Sequence, residues 1–227
     1  MTPDIDVVIP TLNAARHLPR TLAALTGGHE LRLSVTVSDG GSRDDTRTIA
    51  RAGGAGVVEA EPGRGGQLAT GAAAGSAPWL LFLHADTTLS DGWAHVARAF
   101  MTETNLSRAG YFRLRYDSAD RRARRIERLA NWRSRALGLP YGDQGLLIAR
   151  AFYQQIGGYH PLPLMEDVDF VRRIGRRRLV ALEADAVTSA RRYESDGWLA
   201  RPARNLACLG LYFAGLPPRH IRRLYGS

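Results

Sequence analysis

The apolar residues of this chain fall first into short runs separated by polar turns. Asp4 to Pro10 is rich in β-branched residues and predicts a buried strand ending at Pro10. Asn13 then stands where a helix cap belongs, and Leu18, Leu22 and Leu25 share one face of the helix that follows. Leu33 to Ser38 predicts a second strand, stopped by Asp39-Gly40-Gly41-Ser42. Asp44 and Asp45 open a helix of about two turns, with their charges at its positive end. Val57 and Val58 mark a short third strand, Gln67 to Ala74 a helix of small residues, and Trp79 to Leu83 a fourth buried strand. Strands alternating with helices at this spacing predict a parallel α/β sheet.

Beyond residue 90 the rhythm changes. Ala109 to Tyr116 alternates like a half-exposed strand, and Arg121 to Leu137 reads as a basic amphipathic helix. Tyr141 to Ile148 predicts another strand, and Val168 to Ile174 another helix. The expected organisation is one compact body: a nucleotide-binding half over residues 1–90, an acceptor-binding half over 91–190, and a helical tail over 191–227.

At 227 residues, 44% hydrophobic and 23% charged, the chain lies in the ordinary globular range. Its net charge is +9, and all 31 basic residues are arginine. That field favours anionic partners: nucleotide phosphates, nucleic acid or a membrane surface. Cys208 stands alone, so no internal disulfide forms, which fits a reducing compartment. The start shows no basic leader, and Leu206 to Leu216 is shorter than the ~20 residues that cross a bilayer. The expectation is a cytoplasmic protein, with peripheral contact at the inner membrane face left open.

The chemistry concentrates at strand ends, where ligands bind in open parallel sheets. Three ends carry polar residues: Pro10-Thr11-Leu12-Asn13, Asp39-Gly40-Gly41-Ser42 and His84-Ala85-Asp86. Asp39 is able to accept from a base N–H or from ribose; by itself it would pass for a turn former, and the other two ends make it a site residue. Asp86 suits a hard divalent cation, magnesium or manganese, that also takes diphosphate oxygens. His84, two residues earlier, is a second ligand, a contact to ligand through water, or a packed histidine. Arg64, among glycines and followed by Gln67, is placed for a nucleotide phosphate. Glu166 and Asp167 open a helix after the rigid segment Pro161-Leu162-Pro163-Leu164, and Asp167 is the expected general base. Gly142, Asp143 and Gln144 interrupt a strand and are candidates for acceptor contact. Arg191 and Arg192, beside Tyr193 and Trp198, are placed to close over a diphosphate; the denser arginine runs read as solvated helix faces.

Taken together, Val7-Val8-Ile9-Pro10-Thr11-Leu12-Asn13, Val37-Ser38-Asp39-Gly40-Gly41-Ser42, Leu81-Phe82-Leu83-His84-Ala85-Asp86-Thr87 and Met165-Glu166-Asp167-Val168-Asp169-Phe170 resemble the motifs of family-2 glycosyltransferases of the GT-A fold. The resemblance covers about residues 4–195. His84-Ala85-Asp86-Thr87, Gly63-Arg64-Gly65-Gly66-Gln67 and Tyr141-Gly142-Asp143-Gln144-Gly145 are similar to a small bacterial subgroup associated with radical-SAM genes and arsenosugar synthesis. The resemblance implies a Rossmann-like, mainly parallel sheet and inverting transfer from a UDP- or GDP-sugar to a small-molecule or lipid-linked acceptor. It implies base contact by Asp39, a nucleotide pocket lined by Thr11 and Asn13, metal binding by Asp86, and a base from Glu166-Asp167. The chain departs from the family's Asp-x-Asp, which is His-Ala-Asp here, and lacks the Gln-x-x-Arg-Trp of processive synthases. A nucleotidyltransferase would open with a Gly-rich loop after the first strand, where this chain has Pro-Thr-Leu-Asn-Ala. A nucleic-acid or membrane-surface module would leave the acidic strand ends without a purpose.

Overall fold

Strand β1 (Ile5–Thr11) runs through the centre of the molecule, buried along its length except at half-buried Pro10. This computed structural model describes residues 2–28, 30–103 and 106–225, leaving aside the side chains of Arg192 and of residues 223–225. Helix α1 (Leu18–Thr26) buries Leu18, Leu22 and Leu25, as their spacing predicts. Next come β2 (Leu33–Asp39), α2 (Thr46–Ala52), β3 (Gly56–Glu59), α3 (Arg64–Ala73) and β4 (Trp79–Phe82). β1 pairs in parallel with β2 on one side and β4 on the other, and β3 extends the parallel set beyond β2. In this register Thr11 lies opposite Asp39, so two polar strand ends become neighbours.

The second half completes the same sheet. β5 (Thr87–Leu89), α4 (Trp93–Glu103), β6 (Ala109–Tyr116) and α5 (Arg121–Leu137) are followed by a 3-10 turn at Gly142–Gln144, then β7 (Leu146–Ala149) and α6 (Arg150–Gln155). α7 (Glu166–Ile174), β8 (Leu179–Thr188), α8 (Arg191–Asp196), α9 (Ala200–Phe213) and α10 (Pro218–Tyr225) close the chain. The strand order is β3-β2-β1-β4-β7-β6-β8-β5. β7 is antiparallel to both β4 and β6, while β8 is parallel to β6. The molecule is a single α/β domain. Asp120 caps α5 by accepting from the Arg122 amide, and left-handed Gly138 ends that helix.

Two expectations need correction. Asn13 does not cap α1: its Oδ1 accepts from the Arg43 amide, and its own amide donates to Ser42 Oγ. The predicted strand from Tyr141 starts only at Leu146, because Tyr141 and Gln144 close a 3-10 turn before it. A buried ion pair also passed unnoticed in the first strand. Asp6 is 2% exposed and accepts from the Ala77 amide and the Arg150 guanidinium, which ties β1 to the start of α6.

Candidate functional site

Two groups of polar residues gather at the carboxyl ends of the strands. The first is a tight turn between β1 and β2. Asp39 is 1% exposed, and its carboxylate accepts from Thr11 Oγ1 at 3.0 Å, from the Ser42 amide at 2.9 Å, from the Gly41 amide and from Ser42 Oγ. Burial alone would raise its pKa; the hydrogen bonds from Ser42, Thr11 and Gly41 outweigh burial and hold it below the usual value. A carboxylate offers about four acceptor positions, and here each is taken by the protein itself. The expected free acceptor for a base is therefore the clamp that shapes the turn.

Gln67 is likewise redirected. Its Nε2 donates to the carbonyls of Thr11 and Ser38 at 2.6 and 2.9 Å, fastening α3 to both strand ends instead of facing a ligand. Asn13 adopts φ 52°, a left-handed conformation that asparagine tolerates.

The second group lines a cavity of about 560 Å³. Arg64, His84, Asp86, Gly142, Asp143, Glu166 and Asp167 all face it, so residues from four separate segments converge there. Thr11, Asp39 and Gln67 do not line this cavity. Asp167 joins two of its walls: Oδ2 accepts from the Gly142 amide at 3.0 Å, and Oδ1 from the Val168 amide at 2.8 Å. Each oxygen keeps a second lone pair for a ligand. Glu166 is buried and accepts from Arg64 Nη1 at 3.1 Å, bridging α7 and α3. Burial raises the Glu166 pKa against the lowering effect of Arg64, with a further push upward from Asp167.

Two glycines permit this convergence. A Cβ on Gly65 would stand 2.1 Å from the His160 carbonyl, so only glycine lets α3 approach the segment leading into α7. A Cβ on Gly142 would stand 2.6 Å from His84 Nε2, so the histidine ring rests against that backbone. Met165 enters α7 with φ 64°, which costs of order 1–2 kcal/mol for a side chain of this kind. Asn13 and Met165 are the non-glycine residues with positive φ among those described, and they flank the two groups.

Asp143 is left incompletely satisfied. It is half-buried, and its Oδ1 is closed off from water without a hydrogen-bond partner. Burial pushes its pKa up to about 6, opposed by Arg133 and reinforced by Asp167 and Asp86. Gln144 does not line the cavity: fully buried, it joins Ser134, Tyr141 and the Phe112 carbonyl and supports the turn. Arg191 is exposed on α8 and does not line the cavity, and the Arg192 side chain lies outside the described residues.

Among the described residues no three acidic, histidine or cysteine side chains form a ready-made metal cage. Asp86 instead offers hard oxygen donors on an open cavity that Asp143 and Asp167 also line. That suits magnesium or manganese, which keep coordination positions for water and phosphate oxygens.

The sequence missed the other walls. Ile126, Leu129 and Trp132 of α5, with Leu206 and Leu209 of α9, line the same cavity. Their signal lay in apolar residues at helical spacing, in one segment read as a basic amphipathic helix and another weighed only as too short to cross a bilayer.

Three solved structures share this architecture at low sequence identity. Glucosyl-3-phosphoglycerate synthase from Mycobacterium tuberculosis, in complex with Mn2+, UDP and glucosyl-3-phosphoglycerate, superposes with a TM-score of 0.63 at 20% identity, over 95% of this chain and 81% of that one. The mannosyltransferase PcManGT from Pyrobaculum calidifontis, in complex with GDP-Man and Mn2+, gives 0.64 at 15% identity over 92% and 61%. Residues 1–349 of TarS from S. aureus give 0.65 at 17% identity over 99% and 69%. Uncharacterized glycosyltransferases of Mycobacterium tuberculosis and Mycobacterium bovis are 37% identical over 89 residues, a match that spans 39% of this chain and 39% of each relative. The profile of Glycosyl transferase family 2 matches residues 6–160, and the chain belongs to that family of glycosyltransferases.

Proposed function

We propose that this glycosyltransferase transfers one sugar, with inversion, from a UDP- or GDP-sugar to an acceptor hydroxyl, assisted by a divalent cation. The observation that carries this reading is the single cavity in which Asp86, Asp143, Glu166 and Asp167 meet Arg64 at the strand ends. The nucleotide lies along the turn that Asp39 clamps, with its diphosphate directed toward Asp86. A cation held by Asp86, with His84 beside it, would neutralise the charge that develops on the departing diphosphate. Asp167, fixed by the Gly142 and Val168 amides, takes the acceptor proton. The acceptor oxygen bonds to the anomeric carbon as the bond from that carbon to the diphosphate oxygen breaks, and the nucleoside diphosphate leaves with the electron pair.

Arg64 holds Glu166 in place and faces the same cavity, where its positive charge would favour the leaving group. Manganese with UDP in one similar structure, and with GDP-Man in another, supports the donor class. The three segments that resemble the radical-SAM-associated subgroup support placement there. Calorimetry with UDP and GDP, with and without manganese, tests the reading. Binding should require manganese and be lost in Asp86→Ala; tight binding in EDTA, or full affinity in that variant, would refute it.

A further inference from the structure

The cavity is much larger than its acidic end. Besides the carboxylates, it is lined by apolar residues of α5 and α9, some of which reach the protein surface. There Leu129, Trp132 and Leu206 are 61%, 58% and 68% exposed. Apolar surface left in water costs about 25 cal/mol per Å², and this surface is continuous with the proposed reaction centre. A sugar or other small polar acceptor would leave it uncovered.

The other end limits the ligand's head. Asp86, Asp143, Glu166 and Asp167 line it. Glu166 engages Arg64, and Arg133 lies over the Tyr141 ring at 3.5 Å. Away from the cation proposed at Asp86, a phosphate head on the acceptor would bring a second anion against Asp143 and Asp167, whereas a neutral hydroxyl both donates to a carboxylate and is the nucleophile that transfer needs.

We propose that the acceptor is a long-chain alcohol, with its hydroxyl at Asp143 and Asp167 and its hydrocarbon tail in the channel between α5 and α9. This rests on the glycosyltransferase reading of the same cavity and adds the class of acceptor. The whole cavity, acidic end and apolar channel together, measures about 560 Å³, within the range of sites that enclose small ligands.

The test is a tryptophan-fluorescence titration of the full chain with 1-butanol, 1-hexanol, 1-octanol, 1-decanol and decyl phosphate, with Trp132 at the channel mouth as reporter. Affinity should rise up to about fourfold per buried methylene, the equivalent of its transfer free energy. Decanol should bind more tightly than decyl phosphate. Leu206→Glu and Leu129→Ser should each weaken decanol binding about tenfold or more. Both replaced side chains are exposed, so unchanged melting curves establish that the variants fold.

Affinity independent of chain length, or unchanged in both variants, would overturn the proposal. Preference for decyl phosphate would overturn the hydroxyl head. Sedimentation showing a dimer that Leu206→Glu dissociates, without chain-length-dependent alcohol binding, would assign the apolar mouth to a second copy and overturn it too. UDP and GDP titrations on the same preparations separate the two readings: a protein that binds nucleotide and manganese but no alcohol fails only here, and one that binds alcohol but no nucleotide fails in its proposed function.

Discussion

Replacing Asp143 by asparagine should stabilise the protein at neutral pH, an unusual outcome for a change inside a candidate active site. Burial, with Asp167 and Asp86 nearby, raises the pKa of Asp143 from 3.8 to about 6. A folded-state pKa above the unfolded one means that the native state binds the proton more tightly. Below about pH 4 the group is protonated in both states and contributes no difference. As pH rises through 6 the native state must hold a charge it solvates poorly, and stability is lost. The interval from 3.8 to about 6 corresponds to about 3 kcal/mol; residual solvent contact of this half-buried side chain reduces it to about 1–3 kcal/mol.

The Asp143→Asn side chain would escape that cost and lose little in hydrogen bonding, because Asp143 Oδ1 has no partner. Urea denaturation of both proteins in EDTA, between pH 4 and 7.5, measures the gap. It should be near zero at pH 4, grow up to about pH 6.5 and then level off. A variant less stable than the parent by the same amount at every pH would refute the reasoning, since it would mean that the carboxylate makes a stabilising contact independent of charge.

Asp167→Asn should lower single-turnover rates by roughly 10²–10⁴-fold; it should also cost about 1–3 kcal/mol in melting experiments, because the new amide cannot accept from both the Gly142 and Val168 N–H groups. Full turnover in this variant would remove Asp167 as the base. Arg150→Ala leaves the Asp6 carboxylate buried with the Ala77 amide as its remaining partner, and about 3–5 kcal/mol of stability should be lost in urea titration; a much smaller loss would show that water reaches Asp6. Gly65→Ala must push α3 away from the His160 carbonyl, which should cost about 1–3 kcal/mol and lower turnover by separating Arg64 from Glu166. Wild-type melting and turnover would show that α3 moves freely.

Local pattern in the sequence determined the first half of the fold. Consecutive β-branched residues, leucines at helical spacing and Gly-Asp turns specify β1, α1, β2 and β4 by rules that act within a few residues. The chemical character of Asp86, Glu166 and Asp167 was legible for the same reason, since a carboxylate at a strand end or helix start announces itself locally. Tertiary structure decided what the side chains are free to do. Asp39 at a strand end and Gln67 in the glycine-rich segment were both read as nucleotide contacts, yet their hydrogen bonds go to Thr11, Ser38 and Ser42, partners far apart in sequence or hidden in the shape of a turn. The antiparallel insertion of β7 and the parallel return of β8 beside β6 are also decisions of the whole chain, because strand pairing is non-local. Likewise, the apolar channel exists only because α5 and α9, far apart in sequence, wall one cavity, and each helix alone looks like an ordinary surface helix.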